Sequence, residues 1–265
     1  MNTADLSILS ERPRVAAMPR ARVLGAYLQE IRSECLRYLR NPGFLLPTLL
    51  FPTVFYLMFG VFLARSSGPD AARYLLAAYG TFGVMAPGLF GFGVSFAMER
   101  DSGLLTLKRA LPMPPFAYLV GKMAMAMLVA AGVLTLLVLL AVFVSHVPLT
   151  PAQIALLYAS NVPGALPFCA LGLLVGTLVK GQGAPALINM IYLPMAFLSG
   201  LWFPVHSLPK ALQAVAPALP SFHLNMLALD AVGLADVAVL PHVAVLAAFT
   251  VGMLWLAARR LRRVG

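Results

Sequence analysis

Between Gly43 and Ala257 the chain runs through six apolar stretches, at about 43–64, 74–98, 119–145, 154–179, 185–203 and 237–257. Each is near or above the roughly 20 residues that carry an α-helix across about 30 Å of hydrocarbon, and the fifth is the shortest. Of the 265 residues, 61% are hydrophobic and 11% charged, against about 25% charged in a soluble domain. One globular core of this size cannot hide so much apolar side chain. The expected fold class is all-α: a polytopic membrane protein with six transmembrane helices over 43–257.

Net charge is +10. The basic residues are not interleaved with aromatics on a soluble surface, which argues against a nucleic-acid partner. They gather instead in loops. With the N-terminus inside the cell, sixteen Lys and Arg fall on the cytoplasmic side and three outside, so both termini are expected to be cytoplasmic in a multi-pass cell-membrane protein. The first apolar run follows a long charged leader, which marks an uncleaved first span rather than a signal peptide. Cys35 lies in the basic N-terminal segment and Cys169 in an apolar run, an unsuitable pair for a structural disulfide.

Residues 1–19 are polar and read as a flexible tail. Over 20–41, Leu24, Tyr27, Leu28, Ile31, Cys35, Tyr38 and Leu39 recur at helical spacing, while Arg22, Arg32, Arg37 and Arg40 avoid that stripe. This predicts an amphipathic helix lying in the cytoplasmic membrane interface; a helix packed on a soluble partner is the alternative. Residues 258–265 form a basic cytoplasmic tail.

Prolines stand inside several spans: Pro47, Pro52, Pro87, Pro163, Pro167 and Pro194. Each frees a backbone carbonyl and bends its helix. The second span also carries Gly80, Gly83, Gly88, Gly91 and Gly93, spaced for close helix packing or for a helix that slides. No ionisable residue lies near the middle of any span. An ion-coupled carrier usually needs one, and an embedded hydrolase needs a nucleophile with its base or a metal. No catalytic residue and no metal site are expected. The four histidines, His146, His206, His223 and His242, map to the external side without ligand spacing.

Two polar stretches carry a pattern. In 98–123, Asp101 or Ser102 is placed to cap a short helix from about Gly103 to Ala110. Pro112, Pro114 and Pro115 stop it, and Lys122 is expected to snorkel to the interface. In 197–230, Val205, Leu208, Leu212, Val215 and Leu219 form a stripe on a segment too short to cross a bilayer, which reads as a re-entrant or outer-surface helical hairpin.

Both stretches resemble type-2 ATP-binding-cassette (ABC) exporter permeases. In the first, Glu99, Arg100, Gly103, Leu105, Lys108, Arg109, Pro112, Gly121 and Lys122 match, with Asp101 inside the acidic/basic cluster. In the second, Ser199, Gly200, Phe203, Pro204, Leu208, Pro209, Leu219, Pro220 and His223 match. The resemblance implies that loop 99–118 holds a coupling helix docking on a separate ABC ATPase, and that hairpin 204–230 roofs an exit as an external gate. It also implies a second permease copy in a homodimer.

No Gly-x-x-x-x-Gly-Lys-Ser/Thr loop occurs, so ATP and magnesium are expected on the ATPase and no cofactor on this chain. The chain is then a non-catalytic inner-membrane subunit. Its expected cargo is an amphiphile, drug-like, antibiotic or lipidic, in the manner of multidrug efflux. A polysaccharide or lipid-linked glycan exporter is the alternative, and a stand-alone channel or carrier the rival.

Overall fold

The computed structural model describes residues 19–63, 69–110, 113–114 and 116–264. Among them the chain is all-helical. Helix α1 (Arg20–Leu39) precedes α2 (Pro42–Phe55), with Pro42 at the first position, where its missing N–H costs nothing. Helix α2 runs into a π-helical segment, Tyr56–Leu63. Helix α3 (Pro69–Ala86) continues through a second π-helical segment, Pro87–Val94, into α4 (Ser95–Asp101). The short α5 (Leu104–Ala110) and long α6 (Ala117–Phe143) follow. Helix α7 (Pro151–Asn161) starts on a capping box of Thr150 and Gln153 and passes through a 3-10 turn at Pro163 into α8 (Leu166–Leu178). The remainder is α9 (Ala184–Leu198), α10 (Lys210–Val215) between two 3-10 turns, α11 (Pro220–Ala231) and α12 (Val239–Val264).

Five of these runs are long and apolar enough to cross a membrane: Pro42–Val61, Asp70–Asp101, Ala117–Phe143, Pro151–Leu178 and Val239–Arg262. The sixth expected run is shorter. Helix α9 has 15 residues, about 22 Å of rise, because Gly200 turns the chain at φ +80°.

The Asp70–Asp101 run is the centre of the bundle, with 89% of its apolar window buried against 6% for Val239–Arg262. Glycine makes that depth possible. A Cβ at Gly93 would sit 2.8 Å from the Cα of Gly172 on α8, so the second π-helical segment and α8 touch backbone to backbone. Both π-helical segments lie close behind prolines, Pro52 and Pro87; a proline leaves a carbonyl without its ladder donor, and the wider turn takes up the slack.

Candidate functional site

Helix α4 ends one turn below the bundle. Gly103, at φ +76°, reverses the chain and its carbonyl accepts from the N–H groups of Thr106 and Leu107 to start α5. The expected side-chain cap is absent. Asp101 accepts from the Gly181 N–H at 2.6 Å and from Arg100 at 3.3 Å, while the Ser102 hydroxyl donates to the Glu99 carbonyl. These partners draw both side chains away from α5.

Three carboxylates and three cations then meet where α1, α4, α5 and α6 converge. Lys108 on α5 donates to Glu30, and to Glu34 at 2.9 Å. Lys122 on α6 has no exposed surface. Its three N–H donors go to Glu34 at 3.0 Å, Glu99 at 2.8 Å and the Ser95 hydroxyl at 2.8 Å. Arg37 pairs with both Glu34 and Glu99. The Tyr118 hydroxyl donates to Glu99 at 2.8 Å, and its ring lies 4.6 Å from the Lys108 ammonium and 5.2 Å from that of Lys122.

Charges as deeply buried as those of Lys122, Glu34 and Glu99 persist only when paired and hydrogen-bonded, and these three are both. Burial works against the Glu34 carboxylate, but Lys122, Arg37 and Lys108 together hold its pKa below the ordinary value. Burial likewise works against the charge of Lys108, yet the carboxylates of Glu30 and Glu34 keep its pKa above the ordinary value.

Lys122 therefore turns inward rather than snorkelling, because two acids wait for it under the bundle. Gly121 makes room: a Cβ there would lie 2.9 Å from Cγ of Glu30. Helix α1 turns an acidic face into the bundle. It buries Glu34 and Tyr38 and leaves Leu24 62% and Leu28 58% exposed. The inward acids, Glu30 and Glu34, were missed by a reading of apolar spacing alone. The available signal was that they are the only acids of residues 20–41 and stand four apart, on one face.

The other residues expected here have distinct roles. Arg100 donates to the carbonyls of Gly176 at 2.9 Å and Val179 at 2.8 Å, tying the end of α8 to α4. Leu105 packs on a cluster containing Phe96 and Tyr118. Leu107, one turn after Gly103, is 67% exposed. The side chain of Arg109, and Pro112 altogether, lie outside the described residues, as do residues 1–18 of the expected tail.

At the opposite end, Ser199 and Ser221 share a hydroxyl–hydroxyl hydrogen bond, and Asn225 donates to the Ser199 carbonyl at 3.2 Å. The Tyr74 hydroxyl donates to the Gly200 carbonyl. Pro220 opens α11. His223 bonds the Pro217 carbonyl at 2.8 Å and His242 at 2.9 Å. Leu208 is buried, whereas Phe203 is exposed beside Phe197, and Pro204 leads into the 3-10 turn Val205–Ser207. Ser199 and Gly200 thus join the start of α11, while Phe203 and His223 face elsewhere. Of the apolar stripe expected here, Leu208 is buried and Val215 is 44% exposed.

A bundle of long apolar helices, with a short helix bolted to one end by buried charge, defines a multi-pass membrane protein with a fixed, outward-facing handle. Comparison with known proteins gives the class. Residues 27–231 match the family model described as ABC-2 type transporter, from within α1 to the end of α11. The chain is also 29% identical over 197 residues to "Putative transport permease YvfS" of Bacillus subtilis (strain 168), covering 73% of this chain and 80% of that relative. The chain belongs to the ABC-2 type transporter family, as a membrane permease of an ABC transporter.

Proposed function

We propose that this chain is the transmembrane subunit of an ATP-driven exporter, paired with a second copy and powered by a separate ATPase that holds ATP and magnesium. The observation that carries this reading is the state of α5. Lys108 fastens it from behind to Glu30 and Glu34, and Leu107 projects with 67% of its surface exposed. A short helix held rigidly, with an apolar side chain facing out, suits insertion into a groove on a partner. Closure of the ATPases around ATP displaces α5. The ion pairs pass that displacement to α1, α4 and α6 together, biasing one arrangement of the spans over another.

The excess of Lys and Arg beside α1, α5 and the end of α12 supports a cytoplasmic location for that end and for both termini. Helix α9 is then the fifth of six spans, α1 lies in the inner interface, and segment 204–230 roofs the external side as a gate. The substrate path follows the face shared by α2, the second π-helical segment and α9. There a cavity of about 420 Å³ is lined by Phe51, Phe90, Tyr192 and Asn189, among others. Phe51 stacks on Phe55 at 4.4 Å, and Tyr192 packs on Phe82 at 4.7 Å. Aromatic walls with one amide favour an amphiphilic cargo over an ion.

The test is purification of the tagged chain from its own host in gentle detergent, with mass spectrometry of what accompanies it. A stoichiometric ABC ATPase is expected, lost on Leu107→Arg while the chain stays folded. A chain that arrives alone and moves solute in liposomes without ATP overturns the proposal in favour of a channel or carrier.

A further inference from the structure

A second cavity, larger than the aromatic one, opens on a different side of the bundle. It measures about 500 Å³ and lies between α12 and a wall made by α7, α8 and α11, within the range of small-molecule sites. Leu156, Pro163, Leu166, Leu227, Val243 and Leu246 are among its lining residues. On α12 the lining runs from Val239 to Val251, about 18 Å of helix, long enough for an extended aliphatic chain.

Among the described residues, three polar side chains reach this lining: Ser160, Asp230 and Thr250. The two hydroxyls are spent within their own helices. Ser160 donates to the Leu157 carbonyl at 3.2 Å and Thr250 to the Leu246 carbonyl at 2.7 Å. Asp230 is different. Its side chain accepts one hydrogen bond, from the Val237 N–H at 3.3 Å, and among the described residues it forms no ion pair. The imidazole of His242 on the adjoining helix is hydrogen-bonded to His223 instead.

Asp230 also stands in the last turn of α11, where the helix already carries partial negative charge and a carboxylate is disfavoured. A bound cation relieves that repulsion and fills the empty half of the carboxylate. Among the described residues no Lys or Arg lines the cavity, so an anionic headgroup would meet only like charge. We propose that this groove binds a single-chain amphiphilic amine from the surrounding bilayer, with its ammonium on Asp230 and its chain along α12. The site is separate from the aromatic face and does not depend on the direction of transport.

The test is photolabelling of the purified chain in phosphatidylcholine nanodiscs at pH 7. The probes are a photoreactive dodecylamine and its matched alcohol and carboxylic acid, with adducts mapped by mass spectrometry. The amine is expected to label the Val243–Val251 segment about tenfold more than either analogue, by the strength of one charge-assisted hydrogen bond. Asp230→Asn should bring the amine down to the level of the alcohol, Asp230→Glu should restore it, and Leu246→Trp should block all three. Unchanged thermal unfolding of each variant separates lost binding from lost fold. Equal labelling by the three probes, or amine labelling that survives Asp230→Asn, overturns the proposal. So does a disulfide between copies at Val243→Cys, which would mean that a second copy covers the groove.

Discussion

The two ends of this bundle solve the same problem in opposite ways. Both bury polar groups where helices converge. The end that carries α5 uses full charges, three acids against three cations, and leaves every donor of Lys122 engaged. The end that carries α11 uses hydroxyls and amides, and among the described residues it leaves the Asn225 carbonyl oxygen and the Trp202 indole N–H buried without a partner. Opposite charges in a low-dielectric site bind strongly and lose heavily when separated; neutral hydrogen bonds do neither. The first end is therefore built to move as one piece, and the second to rearrange at small cost.

The largest expected effect breaks the charged end. Lys122→Met removes one cation from between Glu34 and Glu99, and a buried pair broken from one side costs about 3–5 kcal/mol. Unfolding in detergent should show it, and a change below 1 kcal/mol would mean that water already reaches the cluster. Next comes the packing that joins the ends. Gly93→Val puts a side chain into the Gly172 backbone and should cost about 1–3 kcal/mol, the usual range for overpacking.

A pH series sharpens the contrast further. Glu34 has a folded pKa below its ordinary 4.5, so its contribution is present above pH 4.5 and lost as pH falls through the lower folded value. Lys108 is raised above its ordinary 10.5, so its contribution is present below pH 10.5 and lost as pH rises through the folded value. Protection of the α1 amides against hydrogen exchange, each rate divided by the intrinsic rate at that pH, should hold between those limits and fall beyond both, by more than in α11. The smallest effect belongs to the neutral end. Ser199→Ala with Ser221→Ala removes both partners of one hydrogen bond and should change stability by no more than about 1 kcal/mol. A loss like that of Lys122→Met would erase the distinction drawn between the ends.

Much of this architecture was legible from residue order alone. Apolar runs located the long helices to within a few residues, since hydrocarbon thickness sets their length. Helix α1 was expected over 20–41 and spans Arg20–Leu39. Its facing was not legible. Apolar spacing points a helix toward whatever is least polar, and it carries no information that a lysine lies buried on the far side of another helix. The same limit applies to α5. Lys108 and Arg109 looked like surface charges awaiting a partner, but Lys108 is spent inward, and the large apolar Leu107 is exposed. At the other end, Ser199 and Gly200 were singled out by pattern, whereas Tyr74 and Asn225, which hold them, come from distant segments and have no local signature.

One pairing also constrains how the chain is made. Glu34 and Lys122 are separated by 88 residues. At about 5–20 residues per second, Lys122 joins the chain roughly 4 to 18 seconds after Glu34. Helix α1 and the first two long helices must wait at the membrane with Glu34 and Glu99 sharing the one guanidinium of Arg37 until α5 and α6 emerge. Any chain cut short before residue 122 is left with acids short of a cation at a lipid boundary, a mark by which quality control can tell an unfinished molecule from a complete one.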